Sequence, residues 1–430
     1  MKRFIDITMI ALMLFTIISL ATASAADNTA VNVQDQQTYL TVKGKVVDDE
    51  TGEPLIFATI AVKGTNIATV SNIDGEFLLK INEKLDNPYI EVMYIGYMNK
   101  EIPLANLSTG DNGNVIDMRP AVIPIAEVVV KPITGEEVIE EVIRNVGNNY
   151  PDEPNLMTAF YRETIKKNRN YVSIAEAVVE VFKAPYNNDF RFDAARIYKG
   201  RKNIETSKID TVLFRLQGGP ATSLQLDIVK NPWSILTSDA MESYDYTLEN
   251  IVVIDEKPHY VIEFSQVENM EIPLFQGKLF VDIDNYAVTE AEFSINLEDK
   301  DRAASIFVRK KPLGMKVTPE STSYRVKFRE SDGLYHFAYA RAEVEFKVNW
   351  DKKLFNKTYI TMSEIAITDR TEEEVIKFAS RERIRKGDIF TEELSAFSDP
   401  DFWGNYNVIE PDQSIESAIN KLGRKSWWNR

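Results

Sequence analysis

Apolar and polar residues alternate with a period of two along most of the chain. Residues 39–47 alternate in this way near the start, and residues 324–329 do so near the end. A Ser-Asp-Gly turn at 331–333 then leads into a returning run at 335–339. Period-two alternation is typical of strands buried on one face, and Asp-Gly between two such runs is typical of a hairpin. The pattern predicts a mainly β protein built from antiparallel strands.

Residues 38–120 consist of short strand patterns separated by polar turns. Gly52 and Gly75 stand where tight hairpins need a positive φ, and no stretch fits a helix. The patterns recur at the spacing of a small antiparallel sandwich. They occupy 39–47, 57–62, 67–70, 76–81, 89–94 and 98–102.

Five motifs in this part of the chain resemble, in order and spacing, the carboxypeptidase-regulatory-like domain. The resemblance implies a transthyretin-like sandwich of seven strands. In that family the domain is a non-catalytic accessory module, found beside metallocarboxypeptidases and at the N-termini of TonB-dependent receptors. The motifs are Gly44-Lys45-Val46-Val47-Asp48, Gly52-Glu53-Pro54-Leu55, Val62-Lys63-Gly64-Thr65, Ser71-Asn72-Ile73-Asp74-Gly75-Glu76-Phe77 and Tyr94-Ile95-Gly96-Tyr97.

A helix pattern opens the second part of the chain. Thr134 and Glu137 form a capping box, in which each side chain satisfies a free backbone amide of the other residue. Five apolar residues then fall on one helical face, and the helix is expected to end at Gly147. This stripe predicts a helix that packs on a sheet, and it consists of Val138, Ile139, Val142, Ile143 and Val146.

Strand patterns then continue from residue 157 to residue 369, and about ten strands fit this length. A sheet of that size tends to curl or close, so a strongly curved antiparallel sheet resembling half a barrel is expected, with few helices. The hairpin patterns at 260–264, 277–284 and 286–293 resemble those of LolA/LolB-like periplasmic lipoprotein carriers. In those carriers a curved sheet holds acyl chains on its concave face.

This second resemblance makes alternate strand positions candidates for lining a site for an apolar ligand. The same residues can equally form an ordinary core, because alternate positions of a strand share one face. The candidates are Val281, Ile283, Tyr324, Val326, Phe328, Phe337, Tyr339 and Phe346.

The C-terminal part combines a polar stretch, an aromatic patch at 402–406 and an apolar helix face at 415–422. Aromatic residues commonly anchor a docked terminal segment, so an arm packed on the sheet is expected, with a lid or partner-binding arm as the alternative. The predicted organisation is a signal peptide at 1–25, the regulatory-like sandwich at 38–120, a linker strand at 121–133, the curved β domain at 134–370 and the C-terminal arm at 371–430.

The first residues have the layout of a secretory signal. Lys2 and Arg3 precede a mostly apolar stretch at 9–20, and small residues follow, so cleavage between Ala25 and Ala26 is expected. The apolar run is shorter than the roughly 20 residues of a membrane span. The sequence therefore predicts export to the periplasm of a Gram-negative bacterium, with or without association with the outer membrane.

The amino-acid composition excludes several classes of binding site and catalytic site. The net charge of -16 argues against a nucleic-acid groove, and the absence of cysteine excludes thiol catalysis, disulfides and cysteine-bound zinc. There are two histidines. His259 and Glu263 would lie about 13 Å apart along a strand, too far for one zinc ion. His336 stands near a turn and is expected to be exposed. No metal site and no cofactor are predicted.

Pairs of carboxylates are the remaining candidates for a catalytic site. Glu176 with Glu180, or Asp282 with Asp284, could form an acid–base couple, although such pairs on strands more often belong to a solvated face. The sequence contains no nucleophile elbow, HExxH helix or phosphate loop. A hydrolase with an unrecognised carboxylate site is therefore the least favoured alternative.

These observations predict a non-enzymatic periplasmic binding or assembly protein, which holds an apolar ligand or a lipoprotein acyl chain in its curved sheet. The alternative is a structural adaptor that docks to an outer-membrane complex through its sheet edges or its aromatic arm. The expected partners are a lipid or lipoprotein, or an outer-membrane protein complex. Nucleic acid is not an expected partner, and the sequence does not determine the oligomeric state.

Overall fold

The structure is a computed structural model. It describes residues 39–82, 84–110, 113–121, 133–186, 192–204, 219–230, 235–268, 270, 273–307, 314–350, 356–396 and 402–419. The predicted signal peptide with its cleavage site at Ala25 and Ala26 lies outside the described residues, as does most of the predicted linker strand.

The N-terminal sandwich has seven strands in two sheets, as predicted. One sheet has the order β4-β1-β7 and the other β3-β2-β5-β6. All neighbours pair antiparallel except β1 and β7, which are parallel. A core of its own fills the space between the sheets. The strands are β1 (Tyr39–Asp48), β2 (Thr59–Val62), β3 (Ala68–Val70), β4 (Glu76–Asn82), β5 (Tyr89–Met93), β6 (Lys100–Pro103) and β7 (Asn114–Met118).

Gly75 shows why the turns of the sandwich need glycine. Its φ is 78°, a left-handed conformation that other residues adopt at a cost. A Cβ atom at this position would also lie 2.7 Å from the backbone oxygen of Val46. Gly52 has a φ of 70°, so both glycines have the conformation that the sequence predicted for them.

The second β structure is one large open sheet. Its order is β11-β12-β13-β14-β15-β16-β17-β8-β9-β10-β18, so β11 and β18 form its edges. Ten strands pair antiparallel, and the short β18 joins β10 in parallel. The strands are β8 (Asn155–Lys167), β9 (Asn170–Lys183), β10 (Ala194–Ile204), β11 (Tyr244–Ile254), β12 (Lys257–Gln266), β13 (Phe275–Asp282), β14 (Val288–Ile295), β15 (Met315–Ser331), β16 (Leu334–Trp350), β17 (Lys357–Thr371) and β18 (Ser395–Ala396).

Helices are few and short apart from the first. They are α1 (Gly135–Asn149), α2 (Gly219–Ser223), α3 (Ser238–Met241), α4 (Lys300–Phe307) and α5 (413–419). The predicted capping box is present, since Thr134 Oγ1 accepts from the amide of Glu137 and the Glu137 carboxylate accepts from the amide of Thr134. The helix continues past Gly147 to Asn149. In the described part of the chain, no helix has the length and apolar character of a membrane span.

Both faces of the large sheet are covered. The face that we call the front carries α1 and includes Ala177 and Val326. The opposite face, called the back, includes Val178 and Tyr339, and the sandwich and the C-terminal segment pack against it. Neighbouring residues such as Ala177 and Val178 divide between the faces because side chains alternate along a strand.

Candidate functional site

The front face is filled by the chain itself. Three residues of α1, Val138, Ile139 and Val142, are fully buried against the sheet. They share one core with most of the residues predicted to line a ligand site, and this core also receives apolar side chains from the loops around α2 and α3. The members of the predicted set in this core are Val281, Tyr324, Val326, Phe328 and Phe337, with Ile283 partly buried beside them.

The remaining two predicted residues lie elsewhere. Strands β15 and β16 lose register between the pairs Lys327–Tyr339 and Phe328–Phe337, which leaves Ala338 unpaired as a bulge. An extra residue reverses the alternation, so Phe337 faces the front and Tyr339 faces the back. Phe346 belongs to a separate cluster beside α4. The structure therefore does not bring the eight predicted residues together in one site.

A network of buried charges lies on the back face, with Arg162 at its centre. This side chain is 2% exposed. Its guanidinium donates to Glu176 Oε1 at 2.8 Å, to Glu364 Oε1 at 3.2 Å and to the backbone oxygen of Ile409 at 2.8 Å. An unpaired buried charge is costly, so these partners from two other strands and the C-terminal segment stabilise the cation.

Each carboxylate of this network also has a second donor. Arg201 donates to Glu176 Oε2 at 3.0 Å, and Arg341 donates to Glu364 Oε2 at 3.2 Å. The hydroxyl of Tyr339 donates to the same Glu364 oxygen at 3.0 Å. The back face therefore holds a buried network of charged side chains, whereas the front-face core is mainly apolar.

The carboxylate pairs considered from the sequence are not solvated couples. Glu176 is fully buried, whereas Glu180 is only partly buried. Asp282 is also buried and accepts a hydrogen bond from the hydroxyl of Tyr335 at 2.8 Å, while Asp284 is exposed. The expectation of a solvated face was wrong for Glu176 and Asp282, because it did not include the segments that cover the sheet.

The sandwich docks on the back face through hydrogen bonds from three cations. Lys327 Nζ donates to the backbone oxygen of Phe57 at 2.9 Å. The backbone oxygen of Asn66 accepts from Arg329 Nη2 at 2.8 Å, and its side-chain oxygen accepts from Arg370 Nη2 at 3.2 Å. One loop of the sandwich thus holds two buried guanidinium groups of the large sheet.

The C-terminal segment lies between the sandwich and the sheet. Trp403 packs edge-on against Phe160 of the back face at 5.5 Å between ring centroids. On the other side, Asn407 accepts from the amide of Lys80 at 2.6 Å and donates to the Lys80 carbonyl at 3.1 Å. Helix α5 then places Ile415 against β9. The described part of the C-terminal segment is thus packed between the two β structures.

Two small cavities lie between the sandwich and the back face, with volumes of about 30 and about 60 Å³. Typical ligand pockets measure about 300–1,000 Å³. These cavities therefore suit water or small ions. A shallow, open cleft of about 280 Å³ lies elsewhere, on β13, β14 and β15, and is bordered by Tyr324.

Both histidines line these cavities. His336 does lie on the face opposite Tyr335 and Phe337, but it is buried, so the expectation of an exposed side chain was wrong. Burial, followed by the charges of two nearby arginines, lowers the pKa of His336 to about 3. Burial also lowers the pKa of His259. Among the described residues, no three or more His, Asp or Glu side chains are grouped to hold a metal ion.

A second buried ion cluster borders the front-face core. Lys183 is fully buried, and its Nζ donates to Asp193 Oδ2 and Asp227 Oδ2 at 2.6 Å each. The hydroxyl of Tyr186 also donates to Asp227 Oδ2 at 2.6 Å. Burial opposes the lysine charge, but the two aspartates raise the pKa of Lys183 above its ordinary value.

Glu163 is a buried carboxyl group of the front face that has no cation beside it in the described part of the chain. The hydroxyl of Tyr161 donates a hydrogen bond to Glu163 Oε2 at 3.0 Å. Burial raises the pKa of Glu163 to about 8, against the small opposing effect of Tyr161. The carboxyl group is therefore largely protonated at neutral pH in the folded protein.

Comparison with known proteins identifies the sandwich. Residues 42–130 match the family model of the CarboxypepD_reg-like domain. The same region underlies a match of 119 residues, 34% identical, to the TonB-dependent receptor SusC of Bacteroides thetaiotaomicron. That match covers 26% of this chain and 11% of the receptor, so the chain spans about a tenth of the length of this relative.

Two solved structures show only distant likeness. A DUF1329 family protein from Desulfovibrio piger is 13% identical with a TM-score of 0.23, and the alignment covers 56% of this chain and 95% of that one. A lipovitellin structure is 10% identical with a TM-score of 0.25, over 59% of this chain and 28% of that one. At these TM-scores neither structure carries an inference about fold or function.

Removing Asn407 is expected to loosen the arm from the CarboxypepD_reg-like domain. Asn407→Ala leaves the partly buried amide and carbonyl of Lys80 without this partner, which costs about 1–3 kcal/mol. Limited proteolysis should then cleave the C-terminal segment faster than in the wild type. Asn405→Ala, at an exposed position of the same turn, is the control. Equal cleavage rates in both variants would contradict this role of Asn407.

Sequence reasoning missed the buried charges Arg162, Lys183 and Glu163. A signal was present, because residues 159–161 and 177–179 are apolar at every position and not at alternate ones. Apolar residues on both faces of a strand indicate that both faces are covered. An isolated charge inside such a run is then a buried charge and needs a partner.

Proposed function

We propose that this chain is a non-enzymatic adaptor of the bacterial cell envelope, which presents its CarboxypepD_reg-like domain to a partner protein. The main observation in support of this proposal is that the chain itself covers the front face of the large sheet. The apolar residues that an acyl chain would need, such as Val281 and Val326, are already covered by α1 and its neighbouring loops. A carrier would have to displace its own core to bind such a ligand.

The exposed edge of the sandwich supports the adaptor function. Strand β7 is an edge strand, so one side of its backbone is free of a neighbouring strand of its sheet. Val115, the second residue of β7, is 72% exposed. Edge strands with exposed apolar residues commonly add a strand from a partner. The match to a TonB-dependent receptor supports a location in the envelope, and we propose the periplasm of a Gram-negative bacterium.

Site-specific photocrosslinking tests the proposal. A benzophenone amino acid is placed at Val115 and, as a control matched in exposure, at Phe192, which is also 72% exposed but belongs to the large-sheet region. The expected result is an adduct from Val115 in living cells that mass spectrometry identifies as an outer-membrane protein. The Phe192 variant is expected to give no such adduct.

Native mass spectrometry of the mature chain separates the adaptor from the lipid carrier. The adaptor is expected to have the mass of the polypeptide alone. A stoichiometric acyl species, together with the absence of adducts at Val115, would overturn the proposal and favour the carrier. Equal adducts at Val115 and Phe192 would also contradict it, because they indicate unspecific contact.

A further inference from the structure

Three buried nitrogen atoms belong to side chains that line the smaller cavity between the sandwich and the sheet. They are Arg329 Nη1, Arg370 Nε and His336 Nδ1, and none has a hydrogen-bond partner among the described residues. All three residues line the same volume of about 30 Å³. Buried polar atoms are nearly always paired with protein, water or an ion, so three unpaired atoms at one cavity indicate that a small polar species binds there.

The two guanidinium groups are fixed in place by the sandwich. Asn66 accepts from one terminal nitrogen of Arg329 and of Arg370, which leaves the unpaired nitrogens free for another acceptor. The walls contributed by β3, namely Ala68, Thr69 and Val70, supply no charge. Two cations therefore share a small space without an anion between them.

The acidic groups nearby do not reach these atoms. Glu372 Oε1 lies 3.9 Å from Arg370 Nη2. That nitrogen already donates to Asn66, so Glu372 does not pair with the unpaired Nε. Asp369 accepts from the backbone amide of Arg370 at 2.8 Å. The carboxylates of Asp332 and Glu91 act on the arginines only through longer-range attraction, from the hairpin turn and from β5.

We propose that this cavity is a binding site for a small inorganic anion of about the size of a halide, held by Arg329, Arg370 and His336. Arg329 Nη1 and Arg370 Nε donate to the anion in charge-assisted hydrogen bonds, which are stronger than neutral ones. The small volume favours a monatomic anion over larger oxyanions and organic acids. The anion links the CarboxypepD_reg-like domain to the large sheet, because both arginines also bond to Asn66.

Binding of the anion is coupled to a proton on His336. The ring also interacts with the backbone of Ser331, which favours the protonated form. A neutral imidazole has only one N–H group, so donation from Nδ1 in addition requires the imidazolium. Without an anion, the positive charges of the two arginines disfavour a positive charge on His336. A bound anion would offset the arginine charges and so make protonation of His336 more favourable. Anion affinity therefore rises as the pH falls.

Thermal unfolding in two salts tests the site. Sodium bromide is compared with sodium gluconate at equal ionic strength, because gluconate is too large for the cavity. We expect a Tm higher by about 1–3 °C in bromide at pH 7.5, since a ligand bound only by the folded state stabilises it, and a larger difference at pH 5.5. Equal Tm values in both salts at both pH values would indicate that the cavity holds water, and would overturn the proposal.

Variants separate this site from general salt effects. Arg370→Gln removes one donor and is expected to abolish the bromide-specific shift, whereas Arg381→Gln, at an exposed position, should retain it. His336→Gln is expected to retain a shift at pH 7.5 that no longer grows at pH 5.5. A shift of the same size in all variants would show that bromide acts elsewhere and would refute the site. Anomalous scattering from bromide at the cavity is the direct check.

Discussion

Replacement of Lys183 with methionine is expected to lower the free energy of unfolding by about 3–5 kcal/mol at pH 7.5. The methylene groups of methionine occupy similar space, so the loss comes mainly from the carboxylates that remain. Asp227 would stay buried and Asp193 would stay largely buried, each 2.6 Å from the position of the lost Lys183 ammonium. Removing one partner of a buried ion pair is costly because it leaves an uncompensated charge.

The loss of unfolding free energy in Lys183→Met is expected to increase with pH. In Lys183→Met the two carboxylates lose the buried ammonium between them, so taking up a proton in the folded protein removes a charge that is no longer compensated. The folded protein then binds more protons than the unfolded chain as the pH rises above about 4, so the stability of the variant falls over that range. The difference from the wild type is expected to be smaller at pH 5 than at pH 7.5.

Two further variants make this measurement specific. Lys386→Met removes a lysine from an exposed position and should change the free energy of unfolding by less than about 0.5 kcal/mol. The triple variant Lys183→Met, Asp193→Asn, Asp227→Asn is expected to recover much of the loss, because no buried charge remains. Chemical denaturation gives each value. A loss below about 1 kcal/mol in Lys183→Met, independent of pH, would contradict a buried ion cluster.

The sequence allowed the two β structures to be predicted because their evidence is local. Alternation within a strand, the Asp332-Gly333 turn and the capping box at Thr134 each depend on residues close in the chain. The seven strands of the sandwich were implied by the resemblance of five motifs to the carboxypeptidase-regulatory-like domain. The structure contains the corresponding strand pairs, the hairpin between β15 and β16, and the capped start of α1.

What could not be predicted is the contact between distant parts of the chain. Arg162 pairs with Glu364 and Ile409, more than two hundred residues away, and its strand gives no indication of which segment covers it. The bulge at Ala338, which moves Tyr339 to the back face, also depends on pairing between two strands. His336 was expected in solvent for the same reason, since the sandwich that buries it lies far away in sequence.

The second large effect concerns Glu163, whose replacement with glutamine is expected to stabilise the protein at alkaline pH. The folded-state pKa of about 8 lies above the ordinary value of 4.5, so the folded protein keeps a proton that the unfolded chain releases. Stability from this group is therefore complete below pH 4.5 and decreases as the pH rises toward 8, by at most about 1.4 kcal/mol per pH unit.

Glu163→Gln removes this dependence while keeping an acceptor for the Tyr161 hydroxyl. The variant and the wild type are expected to unfold with similar free energies at pH 5, and the variant should be more stable by about 2–4 kcal/mol at pH 8. The lowered pKa of His336 acts in the opposite direction below pH 6.5, but it is common to both proteins. The difference between their curves therefore isolates Glu163.

Denaturation curves at pH 5, 6, 7 and 8 measure this difference, with Glu153→Gln as the control for loss of one exposed carboxylate. The control is expected to follow the wild type at every pH. If Glu163→Gln also runs parallel to the wild type, the carboxyl group must be ionised in the folded protein, and a cation or ordered water must then reach it. A divergence that begins near pH 5 and ends near pH 8 would instead show that the front face holds Glu163 in its neutral form. In that case no cation of the described residues would compensate Glu163, as expected for a carboxyl group enclosed in a core that the chain itself closes.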